Sequence, residues 1–276
     1  MQTALERWHE ILDARAQQMD GAYERLGRTS AGYWDRRARN FHRATKETPG
    51  EDPLFLRLRE IVTPQTTILD VGAGTGRFAL ALAPLVQHVT AVEPNAAMLG
   101  YLQQDAAERQ LSNISYIPAT WQDAPDDLTA DIVICSHVLY SIRDVDTFLT
   151  KMRKATRQSC YVYMRATHFD QISSPLWQHF HGMKRLPMPS YIYALDVMYD
   201  MGIYADVEIV DLPSGMRFSS LDTAVEEMQE MLILPNDEQK RAELRDLLTD
   251  WLVSRDGVLS MPVDKLVCAI LRFSGS

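Results

Sequence analysis

The sequence predicts an α/β protein built around a parallel sheet, and three observations carry that prediction. Short β-branched runs alternate with helix-length amphipathic segments between residues 67 and 165, which is the pattern of βαβ units. A glycine-rich run, Gly72-Ala73-Gly74-Thr75-Gly76, sits where the first of these strands gives way to a helix. The chain has 276 residues, 46% of them hydrophobic and 24% charged, so it can bury a substantial core without disulfides.

The elements follow in order. Over residues 4–27, Leu5, Trp8 and Leu12 recur at helical spacing and make one apolar stripe. The next segment, 32–44, mixes Tyr33, Trp34 and Phe41 with Arg36, Arg37, Arg39 and Arg43. Those arginines read either as a solvated helix face or as an attraction for an acidic substrate. Thr48-Pro49-Gly50 then breaks the chain. Strands are predicted at 67–71, 88–92, 114–118, 131–136 and 160–165. Helices are predicted at 78–86, at 95–110 with Asn95 as N-cap, and around Val145, Phe148, Leu149 and Met152. The remainder is more helical. Tyr191, Leu195, Met198 and Tyr199 form a stripe that stops at Gly202. A strand follows at 207–212, then helices marked by Leu221 to Leu232 and by Leu244 to Leu252, and a last strand at 266–273. Residues 1–47 therefore form an N-terminal helical segment, 48–167 the core, and 168–276 the rest of the same domain with helical insertions after strands five and six.

Composition narrows the function. A net charge of −9 argues against a general nucleic-acid binder, which needs clustered Lys and Arg. Cys135, Cys160 and Cys268 all fall in predicted strands and have no metal-ligand spacing. They read as buried reduced thiols, which suits a cytoplasmic protein with no metal site. The first ten residues are charged and amphipathic, and no apolar run approaches the ~18 residues of a membrane span. Neither a secretory signal nor membrane insertion is expected.

The glycine run carries the chemistry. Glycines let a backbone turn tightly and come close to a ligand, and the helix that follows offers free N–H groups. Dinucleotide sites favour G-x-G-x-x-G, where the glycines admit a pyrophosphate. Here the spacing is G-x-G-x-G, Arg77 follows, and Asp70 precedes. An acid at that place repels a pyrophosphate and suits a ligand with a cationic amino-acid end. Downstream, Val89-Thr90-Ala91-Val92-Glu93 is a strand that ends in a carboxylate. A carboxylate there can accept two hydrogen bonds from a ribose diol, or it can cap the next helix.

Asp70, Gly72, Gly74 and Gly76 match D-x-G-x-G-x-G position for position, and the chain thereby resembles the class I S-adenosylmethionine-dependent methyltransferases. The resemblance implies a Rossmann-like seven-stranded sheet of order 3-2-1-4-5-7-6, the last strand antiparallel, with helices on both faces. It implies that the glycine loop holds the methionine part of the cofactor S-adenosylmethionine and that Glu93 holds the ribose. Ala73, Pro94, Ser136 and Tyr33 then border the cofactor. Thr120-Trp121-Gln122-Asp123 resembles the family's adenine motif, with Thr120 where an acid is common. Trp121 is expected to take part in adenine binding, with Gln122 or Asp123 as the polar contact; the other reading of Trp121 is ordinary core.

Residues 131–140 resemble the family's fourth motif, whose end faces the transferring methyl. The motif here lacks both the Asn/Asp-Pro-Pro-aromatic run of base aminomethylases and the Pro-Cys of cytosine enzymes. A small-molecule acceptor is therefore expected, and not nucleic acid. His137 and Tyr140 are the candidate catalytic groups. His137 serves either as a general base or only as a packed, hydrogen-bonded residue. Residues 1–47 resemble the lid of small-molecule methyltransferases. The methionines 183, 188, 198, 201, 228 and 231 suit an adaptable pocket or plain core filling. Two other functions stay open: an NAD-dependent oxidoreductase, disfavoured by the glycine spacing, and a non-catalytic S-adenosylmethionine-binding module.

Overall fold

The computed structural model describes residues 2–29, 32–46, 52–213, 216–255 and 257–275; the break at Thr48-Pro49-Gly50 lies outside them. Helix α1 (Ala4–Glu24) opens on a capping box, in which the Thr3 hydroxyl accepts from Glu6 N–H and the Glu6 carboxylate accepts from Thr3 N–H. Helix α2 (Tyr33–Lys46) follows. Helix α3 (Pro53–Ile61) starts with proline at its first position, and the Asp52 side chain accepts from the N–H groups of Leu54 and Phe55.

The alternating part begins with β1 (Thr67–Val71). It continues through α4 (Ala79–Leu82), β2 (His88–Val92), α5 (Ala96–Glu108), β3 (Ile114–Ile117), β4 (Ala130–Ser136), α6 (Val145–Ala155) and β5 (Thr156–Arg165). The helix expected over 78–86 is one α-turn followed by a 3-10 turn at Ala83–Leu85. Pro84 lacks the N–H that would continue the ladder. Asn95 caps α5 by accepting from Met98 N–H at 2.9 Å.

After β5 come α7 (Phe169–Ile172), α8 (Ser174–His181), α9 (Tyr191–Asp200) and β6 (Asp206–Pro213). Then follow β7 (Arg217–Phe218), α10 (Leu221–Met231), α11 (Glu238–Trp251), β8 (Val253–Arg255), β9 (Val258–Ser260) and β10 (Lys265–Ser274). The seven-stranded sheet runs β3-β2-β1-β4-β5-β10-β6. Strands β1 to β5 are parallel, and β10 lies antiparallel between β5 and β6. Counting β10 as the sheet's seventh strand gives the expected order. A second, three-stranded sheet, β7-β9-β8, and the pair α7–α8 were not expected.

Side chains alternate across the large sheet with period two. On one face Leu69, Val71, Val133, Cys135, Val162 and Leu271 meet α1, α6 and α9. On the other, Ile68, Ile132, Ile134, Tyr161, Tyr163 and Ile270 meet α3, α4 and α5. A third cluster, with Tyr23, Trp177, Phe218, Met228, Leu244 and Leu248, is built from the end of α1, the insertions and the small sheet. Met198, Met228 and Met231 fill these cores, whereas Met183 is exposed. The three cysteines are free and buried. Among the described residues no helix is long and apolar enough to cross a membrane.

Candidate cofactor and acceptor site

The carboxyl ends of β1, β2 and β4 converge on the glycine loop. Gly72 and Ala73 N–H both donate to Val92 O, at 2.8 and 3.0 Å, which ties the loop to the end of β2. A Cβ on Gly72 (φ +74°) would lie 2.4 Å from Val138 Cγ2, and one on Gly76 (φ +88°) 2.2 Å from Leu102 Cδ1. These two glycines let the loop press against the end of β4 and against α5. Gly74 differs: the nearest atoms to its notional Cβ are Phe41 Cε1 at 3.6 Å and Met98 Sδ at 3.9 Å.

Two buried acids stand beside the loop. Glu93 Oε2 accepts from Gly74 N–H and Oε1 from Asn95 N–H, each at 2.8 Å. Burial raises its pKa, and the two N–H donors oppose the rise. Asp70 is more deeply enclosed, and its Oδ2 has no hydrogen-bond partner among the described residues. Burial, helped by the charge of Glu93 and opposed by the Ala79 N–H, pushes its pKa up to about 7. A corner with two acids, one oxygen of which is unsatisfied, fits a ligand with a cationic end and rejects a pyrophosphate.

The ends of β4 and β5 form the adjoining edge. His137 has a left-handed backbone (φ +60°), uncommon for a residue with a side chain, and its N–H donates to Tyr163 O at 2.8 Å. Its Nδ1 lies 3.1 Å from Tyr140 Oη, and Tyr140 Oη in turn accepts from Arg165 N–H at 2.5 Å. His137 Nε2 is buried without a partner. Burial holds the His137 pKa well below the usual histidine value, and the charges of Arg165, Arg77 and His168 hold it lower still. Burial pushes the Tyr140 hydroxyl up to about 12. The pair is therefore neutral near pH 7, with His137 Nε2 left without a partner among the described residues.

Residues 68–159, about a third of the chain, match a family model described as a methyltransferase domain. These residues match a methyltransferase domain, and they lie on the Rossmann-like sheet described above. S-adenosylmethionine is the cofactor expected of such a domain. The chain is similar to an uncharacterized protein of Haemophilus influenzae, 28% identical over 156 residues, which are 56% of this chain and 57% of that one. It is also similar to the uncharacterized methyltransferase YcgJ of Bacillus subtilis, 25% identical over 126 residues, 45% of this chain and 49% of that one. The chain thus spans about half the length of the curated relatives it matches. Among solved structures, a putative methyltransferase from Bacillus halodurans shares the fold, with a TM-score of 0.56, 14% identity, and coverage of 82% of this chain and 100% of that one.

Within the methyltransferase domain the structure brings together Asp70, Gly72, Ala73, Gly74, Gly76 and Glu93 at the loop, and Ser136, His137 and Tyr140 at the end of β4. Pro94 is exposed at the start of the turn into α5. Trp121 is core: it is buried, its indole N–H donates to Phe148 O at 3.3 Å, and its ring packs edge-on against Phe148. Only its backbone is left to read a ligand. Thr120 and Asp123 bond to each other, Oγ1 to Oδ2 at 2.7 Å, and Gln122 is exposed. The Tyr33 hydroxyl accepts from Arg37 at 2.5 Å. The α2 residue over Gly74 is Phe41 instead.

The sequence reading missed several groups. Asp35 accepts from Asn95 Nδ2 at 2.6 Å, and His42 meets Asp105 at 2.9 Å and stacks on Tyr101. These residues pin α2 across α5. Asp35 and His42 are seven positions apart, hence on one helix face; that spacing was the available signal. Tyr163, Arg165 and His168 at the end of β5 were also missed. The rule that ligands sit beyond the carboxyl ends of strands would have pointed to Arg165.

Proposed function

We propose that this chain is an S-adenosylmethionine-dependent methyltransferase whose acceptor is a small molecule. The observation that carries the reading is a pair of buried atoms without partners among the described residues: Asp70 Oδ2, near the end of β1, and His137 Nε2, just beyond β4. When bound, S-adenosylmethionine supplies an electrophilic methyl carbon on a sulfonium, and the sulfur leaves with the bonding electrons. Asp70 faces the cationic amino-acid end, and Glu93 exchanges its N–H partners for the ribose hydroxyls. The backbone after β3 lies where the adenine ring is read. His137 Nε2 accepts the proton shed by the attacking oxygen, nitrogen or sulfur, while Tyr140 fixes its ring through Nδ1. Alignment of the reacting atoms does the rest, because the leaving group is already good.

Enclosure supports a small acceptor. Beyond His137 the edge is walled by α7 and by residues of α1 and of the loop after α8, which meet at Asp170. In the same reading residues 32–46 cover the cofactor, and the buried free thiols suit the reducing cytoplasm. The test is a melting curve and a calorimetric titration with S-adenosylhomocysteine and with NADH. S-adenosylhomocysteine should stabilise the chain, by about 2.7 kcal/mol at a hundred times its dissociation constant. Glu93→Gln should weaken its binding by about 1.5–3 kcal/mol while the protein stays folded. Stabilisation by NADH alone refutes the cofactor, and unchanged affinity in Glu93→Gln refutes the ribose contact.

A further inference from the structure

Methyl transfer needs a nucleophile and a place for its proton, but the acceptor edge carries something more. Most arginines around it have a carboxylate within reach, and the half-buried Arg165 is the exception among the described residues. Arg77 pairs with Asp52. Arg15 and Arg185 share Asp170, the latter at 3.4 Å. Arg37 rests on the Tyr33 hydroxyl within reach of the charges of Glu227 and Asp170. Arg165, at the carboxyl end of β5, pairs with no carboxylate among the described residues, and its Nε is buried without a hydrogen-bond partner. Its guanidinium lies over the Phe169 ring, 4.8 Å from the centroid, and beside the Tyr140 hydroxyl.

The isolation of Arg165 is felt by its neighbours. Its charge contributes to holding both His137 and His168 in their neutral forms. Arg165 is half-buried, and its enclosed Nε lacks the hydrogen bond that a buried donor normally finds. Two positions earlier on β5, the Tyr163 side chain is fully buried, with its hydroxyl beside the Cys268 thiol. A planar fork without a carboxylate, beside the Tyr140 hydroxyl that meets His137, suits a flat anion. Arginine suits a carboxylate because its two parallel N–H groups match the two oxygens. One uncompensated guanidinium calls for one negative charge, which selects a carboxylate over a phosphate dianion.

We propose that the acceptor is a carboxylic acid, that Arg165 binds its carboxylate, and that the atom to be methylated is thereby set towards His137. This rests on the methyltransferase reading above. The carboxylate is the handle and the nucleophile lies elsewhere in the acceptor. In the transfer the nucleophile–carbon bond forms, the sulfur–carbon bond breaks with its electrons remaining on sulfur, and the displaced proton passes to His137 Nε2.

The full-length protein, with and without S-adenosylhomocysteine, is titrated calorimetrically with benzoate, octanoate and their neutral amides, and with inorganic phosphate. At least one acid should bind, and its amide at least tenfold more weakly. Arg165→Gln should weaken the acid at least tenfold, Arg165→Lys should restore part of the loss, and both should keep S-adenosylhomocysteine affinity within about twofold of the unsubstituted chain. The proposal is overturned if neither acid binds, if an amide binds as well as its acid, if phosphate binds better than both acids, or if Arg165→Gln binds the acid unchanged. The acid-against-amide comparison needs no variant, so it stands even if Arg165→Gln fails to fold. Failure of S-adenosylhomocysteine to bind strikes the methyltransferase reading alone, because the titrations without it still test Arg165.

Discussion

The two N-terminal helices both mix aromatic and basic residues, yet they sit in the molecule in opposite ways. Helix α1 sinks Ala4, Trp8 and Leu12 into the core of the large sheet, with Trp8 at 0% exposure and its indole N–H donating to Ile142 O at 2.8 Å. Helix α2 buries Ala38 and leaves Trp34 and Phe41 at 45% and 36% exposure. Polar pairs hold it: Asp35 to Asn95, His42 to Asp105 and Arg36 to Glu230. A buried tryptophan is worth several kcal/mol, whereas an exposed polar pair such as Asp35 to Asn95 is worth up to about 1 kcal/mol; the pair His42 to Asp105 is largely buried. Helix α1 is thus part of the frame, and α2 is a cover held mainly by polar pairs. An N-terminal truncation that removes both would confuse the two roles, since it strips the core as well as the cover.

The largest expected effect tests the first half of the contrast. Trp8→Ala should cost about 3–5 kcal/mol of unfolding free energy, read by urea denaturation, with S-adenosylhomocysteine affinity of the folded protein little changed. A loss below about 1 kcal/mol would put α1 outside the frame.

The next effect belongs to the acid corner beside the loop that α2 overlies. Asp70 is raised to about 7 in the fold, against an ordinary value of 3.8. Between those values the ligand-free fold holds a proton that the unfolded chain has released, so its stability falls as pH rises through that window. A cationic ligand prefers the ionised acid. S-adenosylhomocysteine affinity should therefore rise with pH up to about 7 and level off above it, by as much as roughly tenfold per pH unit. Binding below pH 7 should release a proton, visible by calorimetry in buffers of different ionisation enthalpy. Asp70→Asn should remove the slope, and an unchanged slope would assign it to another group.

The smallest effect tests the cover. Phe41→Ala removes the ring over Gly74 and should weaken S-adenosylhomocysteine by roughly threefold to tenfold, about 0.7–1.4 kcal/mol, while the melting temperature of the ligand-free protein hardly moves. Equal losses in stability and affinity would erase the distinction between the helices.

The difference between α1 and α2 was not legible in the sequence, because both show amphipathic spacing and only long-range partners decide which face is buried. The sheet was legible, since runs such as Thr67–Val71 and His88–Val92 are short, largely apolar and β-branched, and they alternate with helix-length segments. The loop was legible for a related reason: Gly72 and Gly76 are required by contacts with Val138 and Leu102, so their spacing is fixed by the fold. Trp121 illustrates the opposite case. Its position after β3 says where the backbone goes, but its indole is turned inward by Phe148, 27 residues away. The isolation of Arg165 depends on which carboxylates fail to reach it, which no local pattern records. Strands β7, β8 and β9 span two to three residues each, too few for a period to emerge.

The third hydrophobic cluster has a consequence of its own. The segments α8, α10, α11 and the small sheet close on one another around Trp177, Phe218 and Leu244, largely apart from the ladder of the seven-stranded sheet. They reach the acceptor edge through Arg185, which donates to Met231 O at 2.8 Å and pairs with Asp170. Such a layout separates two kinds of change. Substitutions inside this cluster can reshape the far wall of the acceptor edge while Asp70, Glu93 and the glycine loop keep their geometry. Under the proposed function, the half that would hold the methyl donor and the half that would select the acceptor can change independently.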